Sequence, residues 1–167
     1  MKKLNNTVMF ACNVGGHFAQ MMVLHDLFGL YDSVLVTDNE RATRTMPQLV
    51  DVKDIEVISS GRDKVKADKS GRLSYAFGYI KYFFMYRKVW LKYRPKVIVS
   101  TGSNVAVPLF WIGKLHGSKL IFIETRAMVY SRSLTGKLVH RISDQVYVQW
   151  PEMLKLYPEA KYCGTLV

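Results

Sequence analysis

The sequence predicts an α/β fold, a Rossmann-like parallel sheet with helices on both faces. Three observations carry this prediction. Six short β-branched runs recur along the 167 residues, and several of the stretches between them have helical length. The runs are nearly continuous in apolar residues rather than alternating, which marks strands covered on both sides. Two of the runs end in glycine loops that lead directly into helices, and a parallel sheet places its ligands at such strand ends.

Taken in order, TVMFAC (7–12) is the first strand, ended by Gly15 and Gly16, and 18–29 is a helix. SVLVT (33–37) and IEVIS (55–59) are the second and third strands. Residues 73–94 form one long aromatic helix, followed by a fourth strand, KVIVS (96–100), and a helix over 105–116. KLIFIE (119–124) and QVYVQ (145–149) complete the sheet. The segments 38–47 and 60–72 read as exposed loops. The second mixes acidic and basic side chains, which suits a solvated loop or an anion-contacting arm. With no internal repeat, 1–167 is expected to be a single domain.

Composition narrows the function. Lys and Arg number 24 against 13 Asp and Glu, a net charge of +11, and the pI is about 9.7. Such a surface favours an anionic partner: nucleic acid, a phospholipid surface or a phosphorylated ligand. The 13% aromatic content excludes a solvated tail. Cys12 and Cys163 lie too far apart in sequence to suggest a disulfide framework or a zinc cluster, so a reducing compartment is expected. His25, His116 and His140 have no metal-ligand spacing, and neither a metal nor a cofactor is predicted. The N-terminal apolar stretch is too short for a signal peptide, and no run of 18 uncharged apolar residues is present to span a bilayer.

The glycine loops hold the candidate site. Asn13-Val14-Gly15-Gly16-His17 follows the first strand, and Thr101-Gly102-Ser103-Asn104 follows the fourth. Glycine lets backbone N–H groups approach a ligand, and a helix N-terminus adds partial positive charge. Each loop is therefore either a phosphate cradle or a tight strand-to-helix turn. Neither matches the dinucleotide or P-loop fingerprint. The presence of two, on alternate strands of one sheet, favours a ligand site. His17 stands at its mouth, either to move a proton or to bond the loop. Glu124 and Arg126 close the fifth strand, where they would bind sugar hydroxyls and phosphate or form a local ion pair.

In the long helix, Tyr79, Phe83, Tyr86 and Trp90 fall on one stripe, a core face. Phe77, Lys81, Phe84, Met85, Lys88 and Lys92 fall opposite. Lysines among large apolar side chains suit the headgroup boundary of an anionic membrane. A face covered by another subunit is the alternative. RNA would also fit basic and aromatic residues, but no RNA-binding motif is present, and no nucleic-acid partner is expected.

These motifs together carry a resemblance. The GGH loop, TGSNVAVP after the fourth strand, Glu124 after the fifth and the segment SLTGKLVHRISDQVYVQWPEM (133–153) resemble the N-terminal half of a GT-B glycosyltransferase. The chain is similar to three related groups. One is the lipid-II-forming N-acetylglucosaminyltransferases. Another is the membrane-anchoring subunits of the eukaryotic dolichyl-pyrophosphate N-acetylglucosamine transferase. The third, most of all, is the PssD-type subunits of bacterial capsule and exopolysaccharide synthesis.

The resemblance implies one half of a two-component transferase, active with its partner. The other half, a separate donor-binding subunit of C-terminal GT-B type, would hold the UDP-sugar. Gly15, Gly16, Thr101, Gly102, Ser103, Asn104 and Arg126 would face the pyrophosphate of a polyprenyl-linked sugar acceptor. His17 and Glu124 would be catalytic, and the basic aromatic helix would lie on the cytoplasmic face of the cell membrane as a peripheral contact. Asn13-Val14 departs from the family's additional glycine before GGH. Two other readings stand beside this one. Asp38, near the end of the second strand, keeps open a stand-alone nucleotide-binding enzyme. The chain is alternatively a non-catalytic membrane scaffold.

Overall fold

The computed structural model describes residues 4–38, 52–58 and 72–166, and the side chains of Leu4, Asn5 and 72–81 lie outside that description. The expected loops 38–47 and 60–72 therefore fall outside the described residues, except for Asp38 and Arg72.

The strands are β1 (Leu4–Ala11), β2 (Tyr31–Thr37), β3 (Asp54–Val57), β4 (Val97–Ser100), β5 (Lys119–Ile123), β6 (Gln145–Val148) and β7 (Lys161–Tyr162). They form one seven-stranded sheet in the order β3-β2-β1-β4-β5-β6-β7. All pairings are parallel. The helices are α1 (Gly16–Met22), α2 (His25–Leu30), α3 (Arg72–Tyr93), α4 (Ala106–Leu115) and α5 (Leu134–Val139), with a short 3₁₀ helix at Pro151–Lys155.

The β1 side chains alternate between two cores. Val8, Phe10 and Cys12 join Met21, Phe28 and Leu35 beneath α1 and α2. Met9 and Ala11 join Tyr86, Trp90, Leu109, Phe110 and Val139 beneath α3, α4 and α5. Burial on both faces is why the strands read as continuous apolar runs. Burial also pushes the Cys12 thiol up to about 12, with a smaller push from Asp38, so this sulfur is an inert core group.

Four expectations need correction. The six expected strands are joined by a seventh, the short edge strand β7. The helix expected over 18–29 is two helices. His25 Nδ1 donates to the Met22 carbonyl at 2.9 Å and takes the acceptor that a continuous helix would give to the Asp26 N–H. The two glycine loops leave adjacent rather than alternate strands, because β1 pairs directly with β4 from Val8↔Val97 to Ala11↔Ser100. In α3, Phe83 is exposed while Met85 packs against the core with Tyr82 and Tyr93. The buried stripe is centred on Tyr86, Val89 and Trp90, so Met85 leaves the outward set and Phe83 enters it.

Candidate functional site

Between β1 and β4 the strand order reverses. The helix after β1 covers one face of the sheet and the helix after β4 the other, which opens a crevice at the carboxyl ends of the two strands. Both glycine loops start there, and they are bonded to each other across it. The Thr101 hydroxyl donates to the His17 carbonyl at 2.8 Å. The Ser103 hydroxyl donates to Asn13 Oδ1 at 2.8 Å and accepts from the Asn13 N–H at 3.1 Å. Ser100 Oγ donates to the Ala11 carbonyl at 2.6 Å and so ties the two strand ends together.

The loops differ in exposure. Gly15, Gly16 and Asn104 are exposed, whereas Thr101, Gly102 and Ser103 are buried. Ser103 holds a left-handed backbone with φ 87°, a conformation that costs roughly 1–3 kcal/mol in a residue with a side chain. Its two bonds to Asn13 hold it there. Gly102, with φ 110°, has the imidazole of His17 against it, and a Cβ at this position would lie 2.9 Å from His17 Cε1. Glycine is required here both for the backbone angle and for the ring.

That packing sets the chemistry of His17. Its Nδ1 lies 2.8 Å from the Thr101 carbonyl oxygen. A carbonyl only accepts, so Nδ1 carries a proton, and the neutral form of the ring has its lone pair on Nε2. A base whose far nitrogen is fixed by a second group has the arrangement required for proton abstraction.

A cleft of about 410 Å³ opens beside His17. Gly16, His17 and Gln20 contribute to it from α1, and Thr125, Arg126, Ala127 and Trp150 contribute from the segments after β5 and β6. Gln20 joins the two sides. Its Nε2 donates to the Gly16 carbonyl and to Thr125 Oγ1, both at 3.2 Å. Its Oε1 accepts from the Arg126 N–H at 3.1 Å and from Gln149 Nε2 at 2.5 Å. Gln149 Nε2 also donates to the Glu124 carbonyl at 2.9 Å, and its Oε1 accepts from the Leu166 N–H at 2.8 Å. Trp150 Nε1 donates to the Arg126 carbonyl at 2.8 Å. Neither glutamine nor Trp150 was a candidate from the sequence as a site residue. The only available signal was that Gln149 and Trp150 belong to the QWPE stretch that carries part of the resemblance.

Glu124 does not reach the cleft as an open carboxylate. It is 1% exposed. Oε1 accepts from the Thr125 N–H at 2.9 Å, and Oε2 accepts from the Tyr157 hydroxyl at 2.6 Å and the Ser133 N–H at 3.2 Å. Gly136 sits against this group, and a Cβ there would collide with both Tyr157 Oη and Glu124 Oε2. Burial, together with the carboxylate, pushes the Tyr157 phenol far above its ordinary value, so it stays a donor. This geometry makes Glu124 an anchor for the 125–133 loop and not a group aimed at substrate.

On α3, Phe84 is 57% exposed and Lys88 is also exposed. On the neighbouring helix α4, Trp111 is 46% exposed and Leu115 74%, two residues that sequence periodicity did not single out. Lys92 is exposed but already engaged, with Nζ 2.6 Å from Glu56 Oε1 and 3.4 Å from Asp54 Oδ2. Hydrogen bonding to Glu56 raises its pKa above the ordinary lysine value. The side chains of Phe77 and Lys81 lie outside the description. No described helix is long and apolar enough to cross a membrane.

Solved structures share this fold. The computed structure superposes on the crystal structure of Acinetobacter baumannii MurG with a TM-score of 0.68 at 14% identity, over 89% of this chain and 43% of that one. At that identity the likeness speaks to fold alone, a Rossmann-like parallel α/β sheet. A Candida albicans protein, UDP-N-acetylglucosamine transferase subunit ALG14, is 36% identical over 93 residues, covering 52% of this chain and 42% of that protein. The human protein of the same name is 28% identical over 97 residues, covering 51% of this chain and 45% of that protein. These matches thus span less than half the length of either relative. The family described as oligosaccharide biosynthesis protein Alg14-like matches residues 8–166, nearly the whole length. The chain belongs to the Alg14-like family of oligosaccharide biosynthesis proteins.

Proposed function

We propose that this chain is the acceptor-binding subunit of a two-part glycosyltransferase. It would bind a polyprenyl-pyrophosphate-linked sugar at the cytoplasmic membrane face, as a peripheral protein. A separate subunit would hold the donor, a UDP-sugar such as the UDP-N-acetylglucosamine in the names of its relatives. Bacterial capsule or exopolysaccharide synthesis is the process we assign it to, by the resemblance of residues 133–153 to PssD-type subunits.

The observation that carries this reading is His17, its Nδ1 held by the Thr101 carbonyl, at the edge of an open cleft. In the reaction, an acceptor hydroxyl attacks the anomeric carbon of the donor sugar. The new C–O bond forms as the bond to the nucleoside diphosphate breaks and its electron pair leaves with the diphosphate. His17 Nε2 takes the hydroxyl proton, and the Thr101 carbonyl favours the resulting imidazolium. Gly15 and Gly16 would admit the acceptor pyrophosphate, since a Cβ on either would meet nothing within 4 Å. Asn104 and Arg126 are the exposed polar side chains of the two rims. Thr101, Gly102 and Ser103 would act from beneath by holding the first loop. Phe84 and Lys88, joined by Phe83 and Trp111, would meet the lipid surface, where rings enter the acyl boundary and ammonium groups meet anionic headgroups.

The test is a transfer assay with labelled UDP-N-acetylglucosamine and a polyprenyl-pyrophosphate sugar. Product is expected only when this chain and its donor-binding partner are combined. Turnover by this chain alone, or full activity of an assembled His17→Ala pair, would overturn the assignment. Flotation with anionic vesicles tests the membrane contact, and Phe84→Ser with Lys88→Glu should abolish it.

A further inference from the structure

We propose that Trp150 forms the platform of a pyranose subsite in the cleft, and so decides that the acceptor must carry a sugar. The inference rests on the acceptor-binding reading above. It starts from which polar groups remain available to a ligand. Gln20 spends both amide protons on Gly16 and Thr125, and its carbonyl accepts from Arg126 and Gln149. The Trp150 N–H is spent on the Arg126 carbonyl. Gln20 and the Trp150 N–H are therefore engaged within the protein, and what Trp150 has left to offer is the part of its ring that faces the cleft rather than the core.

An aromatic ring with its only donor engaged is apolar on its faces, and those faces carry negative partial charge. A pyranose has the matching chemistry: a face of C–H groups with slight positive charge and a rim of hydroxyls. Ala127, also in the cleft lining, adds little bulk next to the ring. His17, which lines the same cleft, supplies a proton acceptor for a rim hydroxyl. The indole is also fixed in place. Its bond to Arg126 and the bond of the Arg126 N–H to Gln20 hold it to the same frame as Gly16. A fixed platform costs little ordering on binding.

The competing occupant of an aromatic wall is the prenyl chain. Leucine separates the two, because it keeps apolar contact with a hydrocarbon but lacks the flat charged face that a sugar needs. The experiment compares binding of farnesyl pyrophosphate and farnesyl-pyrophosphate-linked N-acetylglucosamine to the full chain. Wild type is expected to favour the sugar-bearing compound by about tenfold, the scale of one well-formed aromatic contact. Trp150→Leu should lose that preference and keep its affinity for the sugar-free compound. Trp150→Phe should retain most of the preference. Where Trp150→Leu fails to fold, wild-type fluorescence serves instead: the sugar-bearing compound should change the indole emission, and Trp150→Phe should abolish that change while still binding. A preference that survives Trp150→Leu, equal weakening of both compounds, or no sugar-dependent emission change would overturn the subsite and leave the acceptor reading standing. Failure of wild type to bind either compound would overturn both.

Discussion

The two glycine loops look alike in sequence and do different work. The loop after β1 is open, and its glycines have empty space where side chains would be. The loop after β4 is buried, with its hydroxyls turned toward the first loop and its glycine filled by the His17 ring. In the proposed reaction the open loop would meet the ligand and the buried loop would hold it in position. Glycine serves the two loops differently: it leaves open space in one and admits the His17 ring in the other.

Substitutions can break or sharpen this contrast. The largest effect should come from His17→Ala in the proposed two-part transferase, where losing the proposed base should lower kcat by about 10²–10⁴-fold. Stability of the same variant should fall by only about 1 kcal/mol, from the lost Nδ1 bond to the Thr101 carbonyl.

Next come paired glycine variants. Gly102→Ala places a methyl group 2.9 Å from the His17 ring at φ 110°. It should destabilise the chain by about 1–3 kcal/mol and displace the base. Gly16→Ala meets no atom within 4 Å and should leave stability within about 0.5 kcal/mol of wild type. Any loss of activity in Gly16→Ala then reports ligand contact. Equal melting temperatures for the two variants would erase the distinction between the loops.

Thr101→Val is subtler. It removes the hydroxyl bond to the His17 carbonyl but keeps the backbone carbonyl that fixes Nδ1. Stability should fall by about 1 kcal/mol, as read from the urea midpoint. An unchanged midpoint would mean that this bond does not hold the loops together.

The smallest effect lies far from both loops. The hydrogen bond from the Tyr93 phenol, the largest cause, lowers the pKa of Asp54. A carboxyl whose folded value is depressed stabilises the fold above its unfolded pKa of about 3.9, and that contribution is lost as pH falls through the folded value. The difference in urea midpoint between Asp54→Asn and wild type should therefore shrink on acidification, while activity at neutral pH stays unchanged.

The central strands were legible because they are buried on both faces, so Phe10, Leu35, Ile98, Leu120 and Val148 announce themselves as unbroken apolar runs. The edge strand β7 was not, because both of its residues are exposed. The loop residues were legible because glycine next to histidine after a strand has few explanations. What held the cleft together was not. Gln20 and Gln149 are 129 residues apart, and no local pattern links two glutamines that meet only after the sheet has formed. Periodicity placed Phe83 inside and Met85 outside because both sit on the flanks of the buried stripe, where neighbouring helices decide the matter. Glu124 was legible as a carboxylate at a strand end. Its burial was not, since the partner that covers it, Tyr157, comes 33 residues later, next to a 3₁₀ helix that carries no periodic signal.

Gly136 carries a consequence for how this molecule can change over generations. Its missing side chain is the space in which the Glu124 carboxylate and the Tyr157 phenol meet. A lineage that gains even one methyl at that position must give up the carboxylate, the phenol or the local backbone path. The three positions should therefore be inherited as a set, and chains that alter one alone should be scarce among descendants.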